Sequence, residues 1–267
     1  MPIVADTSRP DGRRLVTSDG TPVARFLELE RGGRRVADLV EPVGGAHVDE
    51  IAALAAADLR GWRIAGGEEL GRLLVAAGAR PARHSHVHTR DLRRDPAPAE
   101  WAAPETPRGV RLGPVGRGPG ALVRAYAAAY PPDHPDWRDE RRPADLEADL
   151  AGVLDGTTIG PLLAASRLAL DGDDTPVGAI LVNDPGGTPP FGGPWIGQLF
   201  RHPAPALAGT GRALLRSALA RATIAGLPAL SLAVTDGNPA VRLYDALGFE
   251  RVLTSFSVDL DPGALRS

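Results

Sequence analysis

The chain has no cysteine and no lysine. Without cysteine there is no disulfide framework, no thiolate metal site and no thiol nucleophile. Without lysine there is no Schiff base and no P-loop, whose phosphate-binding lysine is essential. Asparagine occurs only at Asn183 and Asn238, and glutamine only at Gln198. Every one of the 30 basic residues is arginine, and 33 acidic residues bring the net charge to −3. A balance so near neutral argues against nucleic acid as a partner. No basic leader followed by an apolar run opens the chain, and no stretch approaches the roughly 20 apolar residues that span a bilayer. The expectation is a cytoplasmic protein without a membrane partner.

What is present, over 267 residues, suits one large domain or two small ones. Residues 93–108 are rich in proline, alanine and charge, with no sustained apolar period, which reads as a linker. The expected division is 1–92, linker 93–108, and 109–267. In the second part, helices are expected at 120–129, 144–154, 209–225 and 238–247. Strands are expected at 162–170, 177–182, 195–201, 229–234 and 249–260. Strand-helix-strand units imply parallel pairing and tightly linked strands imply hairpins, so the fold class is α/β with a mixed sheet. The first part repeats the order of the last seven elements. Strands at 14–17, 23–30 and 35–41 precede a helix at 47–59, a strand at 62–65, a helix at 68–77 and a strand at 82–89. Pro42 with Glu69–Gly78 parallels Pro203 with Pro239–Gly248, which suggests a diverged internal duplication.

The most informative run lies between Pro203 and Phe249. A strand ends at Pro203, and Gly209-Thr210-Gly211 leads straight into a helix. Glycines let backbone N–H groups approach a ligand, and a helix N-terminus carries partial positive charge, so the pair suits a pyrophosphate. A lone Gly-x-Gly is equally an ordinary helix start. Further on comes Asn238-Pro-Ala-Val-Arg-Leu-Tyr244-Asp-Ala-Leu-Gly-Phe249. Together with the glycine loop, this run resembles the signature of the GNAT superfamily, the GCN5-related N-acetyltransferases, over roughly residues 107 to 260.

The resemblance implies two GNAT-like α/β domains in tandem and a transferase that uses acetyl-CoA as co-substrate. It implies that backbone N–H groups of Leu207, Ala208, Gly209, Thr210, Gly211 and Arg212 hold the pyrophosphate. Leu199, Phe200 and Arg201, with Gln198, would lie along the pantetheine arm beyond a bulge. Asn238 would bond near the cofactor and Tyr244 would protonate the departing thiolate. The acceptor is expected to be a primary amine on a small molecule or peptide, and the chain a monomer or homodimer. Where the family usually places Arg or Gln in the loop this chain has Ala206, so one phosphate contact is missing. That departure, with no evident base, leaves a second reading: a non-catalytic acyl-CoA-binding or sensor module.

Gln198 cannot act as a base but can hold a water. Asp133, His134, Asp136, Asp184 and His202 are base candidates, although each also reads as a solvated loop residue. In the N-terminal copy, Leu74 stands where Tyr244 does and Glu68 where Asn238 does, and no Gly-x-Gly enters the helix. That copy is expected neither to bind cofactor nor to catalyse. His84, His86 and His88 alternate on one strand face, where imidazoles can ligate zinc. The expectation is nonetheless no metal and a polar, solvent-facing edge.

Overall fold

The computed structural model describes residues 3–6, 12–31, 33–137, 142–188 and 192–261. The strands are β1 (Ile3–Ala5), β2 (Gly12–Val16), β3 (Pro22–Arg31), β4 (Arg34–Pro42), β5 (Arg63–Gly66), β6 (Arg80–Asp91), β7 (Arg111–Gly113), β8 (Arg167–Leu170), β9 (Pro176–Asn183), β10 (Trp195–Arg201), β11 (Ala229–Thr235) and β12 (Glu250–Asp259). The helices are α1 (Val48–Asp58), α2 (Glu68–Ala76), α3 (Pro119–Ala129), α4 (Pro143–Leu154), α5 (Thr210–Ile224) and α6 (Val241–Asp245). Among the described residues no helix is long and apolar enough to cross a membrane.

The chain forms two compact units. Unit 1 comprises residues 1–86 and 253–267, and unit 2 comprises 87–252. The C-terminal strand therefore belongs to the unit built by the start of the chain, a partition that the expected boundaries at 92 and 109 did not contain.

In unit 1 the strand order is β1-β2-β3-β4-β5-β12, with the first part of β6 beside β12. The meander β2-β3-β4 is antiparallel, β4 and β5 are parallel, and β12 runs antiparallel to β5, with Val258 opposite Ile64. Ile51 and Ala55 of α1, Leu70 and Leu74 of α2, Ile64 and Val258 share one apolar core. At the end of β12, Asp259 is 2% exposed and receives Arg34 at 2.6 Å, Arg63 at 2.8 Å and Arg80 at 3.1 Å. Burial alone would raise this carboxyl, but the hydrogen bonds from Arg63 and Arg34 outweigh it and hold it below the usual range.

In unit 2 the order is the second part of β6, then β11-β10-β9-β8-β7. Every residue of β9 is buried, as a continuous apolar run predicts for a strand covered on both faces. Ile180 and Val182 pack towards Leu214, Leu215 and Leu219 of α5, while Ala179 and Leu181 pack with Leu122 of α3 and Leu150 of α4. The expected strand at 162–170 is interrupted. Leu162 makes one bridge to Asn183, and the regular strand starts only at Arg167.

The stretch read as a linker is packed. A 3-10 turn forms at Ala99–Ala102, Ala97 is buried, and Trp101 lies against the α5 core with the guanidinium groups of Arg90 and Arg216 5.4 and 5.1 Å from its ring centre. The histidine face is not open to solvent either. His86 and His88 are buried, His86 bonded to Thr254 at 3.0 Å.

Candidate active site

The bulge that organises unit 2 sits at Gly197, where the β9–β10 register shifts between Ile196 and Gln198. A side chain there would meet Ile159 Cδ1 at 2.7 Å and Asn183 Oδ1 at 3.1 Å, so the position needs glycine. Asn183 is fully buried and donates to the carbonyls of Val153 and Gly160, both at 2.8 Å. It ties the end of α4 and the loop after it to the end of β9. The sequence pattern did not single out Asn183 as part of the site; its only signal was the scarcity of asparagine.

Past the bulge, β10 parts from β11. The parallel register between them is Trp195 opposite Ser231, with the Ser231 N–H donating to Pro194 at 3.0 Å. Gln198, Leu199 and Arg201 then run on half-buried, and Phe200 turns into the core. Arg201 donates to the carbonyl of His202 at 2.9 Å. Unit 1 handles the same place differently. There the β4–β5 register shifts between Ala37 and Val40, yet pairing resumes at Val40 opposite Gly66. The second strand pair thus stays closed where β10 and β11 open.

After β10 the chain makes a 3-10 turn at Pro205–Leu207 and reaches Gly209 at φ 95°, a left-handed conformation that glycine adopts without strain. Ala213 is the first residue of α5 to bond backward, to Gly209 at 3.0 Å. The N–H groups of Gly209, Thr210, Gly211 and Arg212 precede that first bond and have no backbone acceptor among the described residues. Those of Leu207 and Ala208, expected to reach ligand, instead donate to Ala204 at 2.9 Å and Pro205 at 3.0 Å inside the turn. The N–H groups left without a backbone acceptor are therefore those of the first turn of α5 itself, where a helix N-terminus favours negative charge.

Asn238 sits in the turn after β11. Its Oδ1 accepts the Ala240 N–H at 2.9 Å, and its Nδ2 donates to Asp136 Oδ2 at 3.1 Å. The Thr235 hydroxyl also donates to Asp136. Asp136 is thus a fixed group, not a solvated loop residue. Three other base candidates serve local turns: His134 accepts from the Asp136 N–H at 3.0 Å, Asp184 from Gly186 at 2.9 Å, and His202 from Ala204 at 3.2 Å.

Tyr244 lies on α6 and is 7% exposed, against Phe249 at 6.0 Å and His88 at 6.4 Å between ring centres. Burial, with a smaller contribution from the Asp136 carboxylate, pushes its phenol up to about 12. The phenol therefore keeps its proton at neutral pH and is a weaker acid than an exposed tyrosine. In unit 1 the matching Leu74 is fully buried in the core, and Glu68 pairs with Arg72 at 2.6 Å.

Comparison with known proteins agrees with this geometry. Residues 122–249 match the profile of the Acetyltransferase (GNAT) family. None of the curated proteins matches the chain in sequence. Among solved structures, a GCN5-related N-acetyltransferase from Sphaerobacter thermophilus aligns with 96% of this chain and 82% of its own, at TM-score 0.65 and 20% identity. One from Kribbella flavida aligns over 91% and 90%, at TM-score 0.54 and 19% identity. A tandem GNAT protein from the clavulanic acid biosynthesis pathway, solved without AcCoA, aligns over 94% and 83%, at TM-score 0.55 and 16% identity. At such identities the likeness is one of fold, and it extends over both units.

Proposed function

We propose that unit 2, whose residues 122–249 match the Acetyltransferase (GNAT) family profile, moves an acetyl group from acetyl-CoA to a primary amine, with Tyr244 as general acid. The observation that carries this reading is the parted strand pair β10–β11 beside the free first turn of α5. An extended arm bearing amides fits alongside the edge of β10 that has parted from β11, and a pyrophosphate fits four backbone N–H groups without a backbone acceptor at a helix start. Gly209, Thr210, Gly211 and Arg212 would hold the phosphates; Gln198, Leu199 and Arg201 would flank the arm. Asn238 would act on the acceptor side, since its amide already holds Asp136.

Acetyl-CoA supplies the acetyl group as a thioester, which a neutral amine attacks. Tyr244 would protonate the sulfur that leaves. Unit 1, with β4 and β5 paired past their bulge and Leu74 in place of the phenol, would serve as architecture. We further take residues 93–108 as part of the catalytic unit, because Trp101 and Ala97 pack on α5.

Tyr244→Phe tests the reading. It is expected to lower turnover about 10²–10⁴-fold, the usual worth of a general acid, while acetyl-CoA still binds. Equal turnover in the variant would remove Tyr244 from the chemistry. A parent that binds acetyl-CoA and acetylates no amine would favour an acyl-CoA sensor.

A further inference from the structure

Two arginines meet where the last turn of α5 covers the sheet of unit 2. Arg167 opens β8 directly opposite Ile180 of β9, so its side chain stands on the sheet face that Ile180 turns towards α5. Arg221 lies in the last turn of α5, one i, i+7 step after Leu214 and one i, i+3 step after Ala218. Leu214 and Ala218 are fully buried in the same core as Ile180. That spacing puts Arg221 on the sheet-facing stripe of the helix.

Arg167 is 8% exposed. Its Nη1 donates to the carbonyls of Ala164 at 2.9 Å and Ser166 at 2.6 Å, which are dipoles and not anions. The Nε of Arg221 is buried without a hydrogen-bond partner. Neither guanidinium pairs with a carboxylate among the described residues. Burial first, and then the Arg221 charge, push the Arg167 guanidinium below its usual value; an arginine stays charged all the same. Buried charges in folded proteins are paired or hold an ion. These two repel each other instead.

A phosphate group suits the pair. It carries about 1.5–2 negative charges at neutral pH, against their two positive ones, where a carboxylate carries only one. A guanidinium also presents its N–H groups in a fixed fork that matches phosphate oxygens.

We propose that Arg167 and Arg221 form a phosphate site at the C-terminal end of α5, separate from its first turn, which takes inorganic phosphate or a phosphomonoester and fastens α5 to β8 when filled. The proposal does not depend on the acetyl-transfer reading.

The test titrates inorganic phosphate into the full chain by calorimetry, with glycerol 1-phosphate as the monoester and acetate as a singly charged control. Thermal unfolding is followed with and without phosphate, chloride keeping the ionic strength equal. The parent should bind phosphate and unfold about 2 °C or more higher in its presence. Arg221→Gln should bind at least about tenfold more weakly, as for a lost hydrogen-bonded charge, and should lose the shift. Without phosphate it should unfold no lower than the parent, because one of two like charges is gone. Arg167→Met should lose phosphate in the same way, and it serves if Arg221→Gln does not fold. Whichever of phosphate and monoester binds more tightly in an Arg221-dependent way names the source and supports the proposal. Phosphate binding that Arg221→Gln leaves unchanged and Gly211→Asp abolishes would put the ion at the first turn of α5 and overturn it. Equal destabilisation of Arg221→Gln with and without phosphate would reduce Arg221 to a structural role and also overturn it. So would a parent that binds no phosphate, or one that binds acetate as well as phosphate.

Discussion

Gly211→Asp separates stability from ligand binding by giving them opposite signs. Gly211 lies in the first turn of α5, and a Cβ there meets only Leu243 Cδ2, at 4.0 Å, so a side chain fits. A carboxylate in a first turn is favourable by about 0.3–1 kcal/mol, and replacing a helical glycine adds a few tenths. The free protein should therefore unfold about 1–4 °C higher. A bound pyrophosphate changes the sign. One carboxylate charge about 5 Å from one phosphate charge, at an effective dielectric near 20, costs about 3 kcal/mol. That corresponds to roughly a hundredfold weaker acetyl-CoA binding. Gly211→Asn carries the same shape without the charge and should weaken binding far less. Calorimetric titration gives the affinities and thermal unfolding the stabilities. The reasoning is refuted if Gly211→Asp binds acetyl-CoA within about threefold of the parent, since a charge of that size cannot vanish at contact range.

Three further outcomes follow from single residues. Asp259→Ala leaves three arginines without their shared carboxylate; because those arginines are 36–61% exposed and can be resolvated, the loss in chemical denaturation should be about 2–3 kcal/mol, below the usual cost of breaking a buried pair. The Asp259 carboxyl is held below its unfolded value, so its stabilisation is complete above about pH 4 and disappears as pH falls through the folded value; acid titration should show a steeper loss of stability below pH ~4 in the parent than in Asp259→Ala. Of the three tyrosines, one should ionise at about 12 in an ultraviolet titration, and that late step should be missing in Tyr244→Phe.

The local elements were legible where pattern and punctuation coincide. The strand at 195–201 and the helix over 209–225 follow from an apolar run closed by proline and from leucines at helical spacing. Asp19-Gly20, a glycine turn between β2 and β3, punctuates the first meander. Partner choice was not legible. The apolar pattern of β12 suits either sheet, and nothing local says that it pairs with β5. Proline and charge in 93–108 suggested a linker, but Trp101 supplies the burial that holds that stretch on α5. At the site, the signature pointed to Asn238 and Tyr244, while the bond from Asn238 to Asp136 joins residues 102 positions apart. Such a contact leaves no periodicity in a single sequence. The closed β4–β5 pair was likewise hidden, because one resumed hydrogen-bonded register has no residue signature of its own.

The most direct measurement is the stoichiometry of acetyl-CoA binding to the intact chain by calorimetric titration. One acyl-CoA slot, formed by β10, β11 and α5, predicts one molecule bound per chain. Two molecules of similar affinity would contradict the closed pair in unit 1, and no binding would contradict the open pair in unit 2.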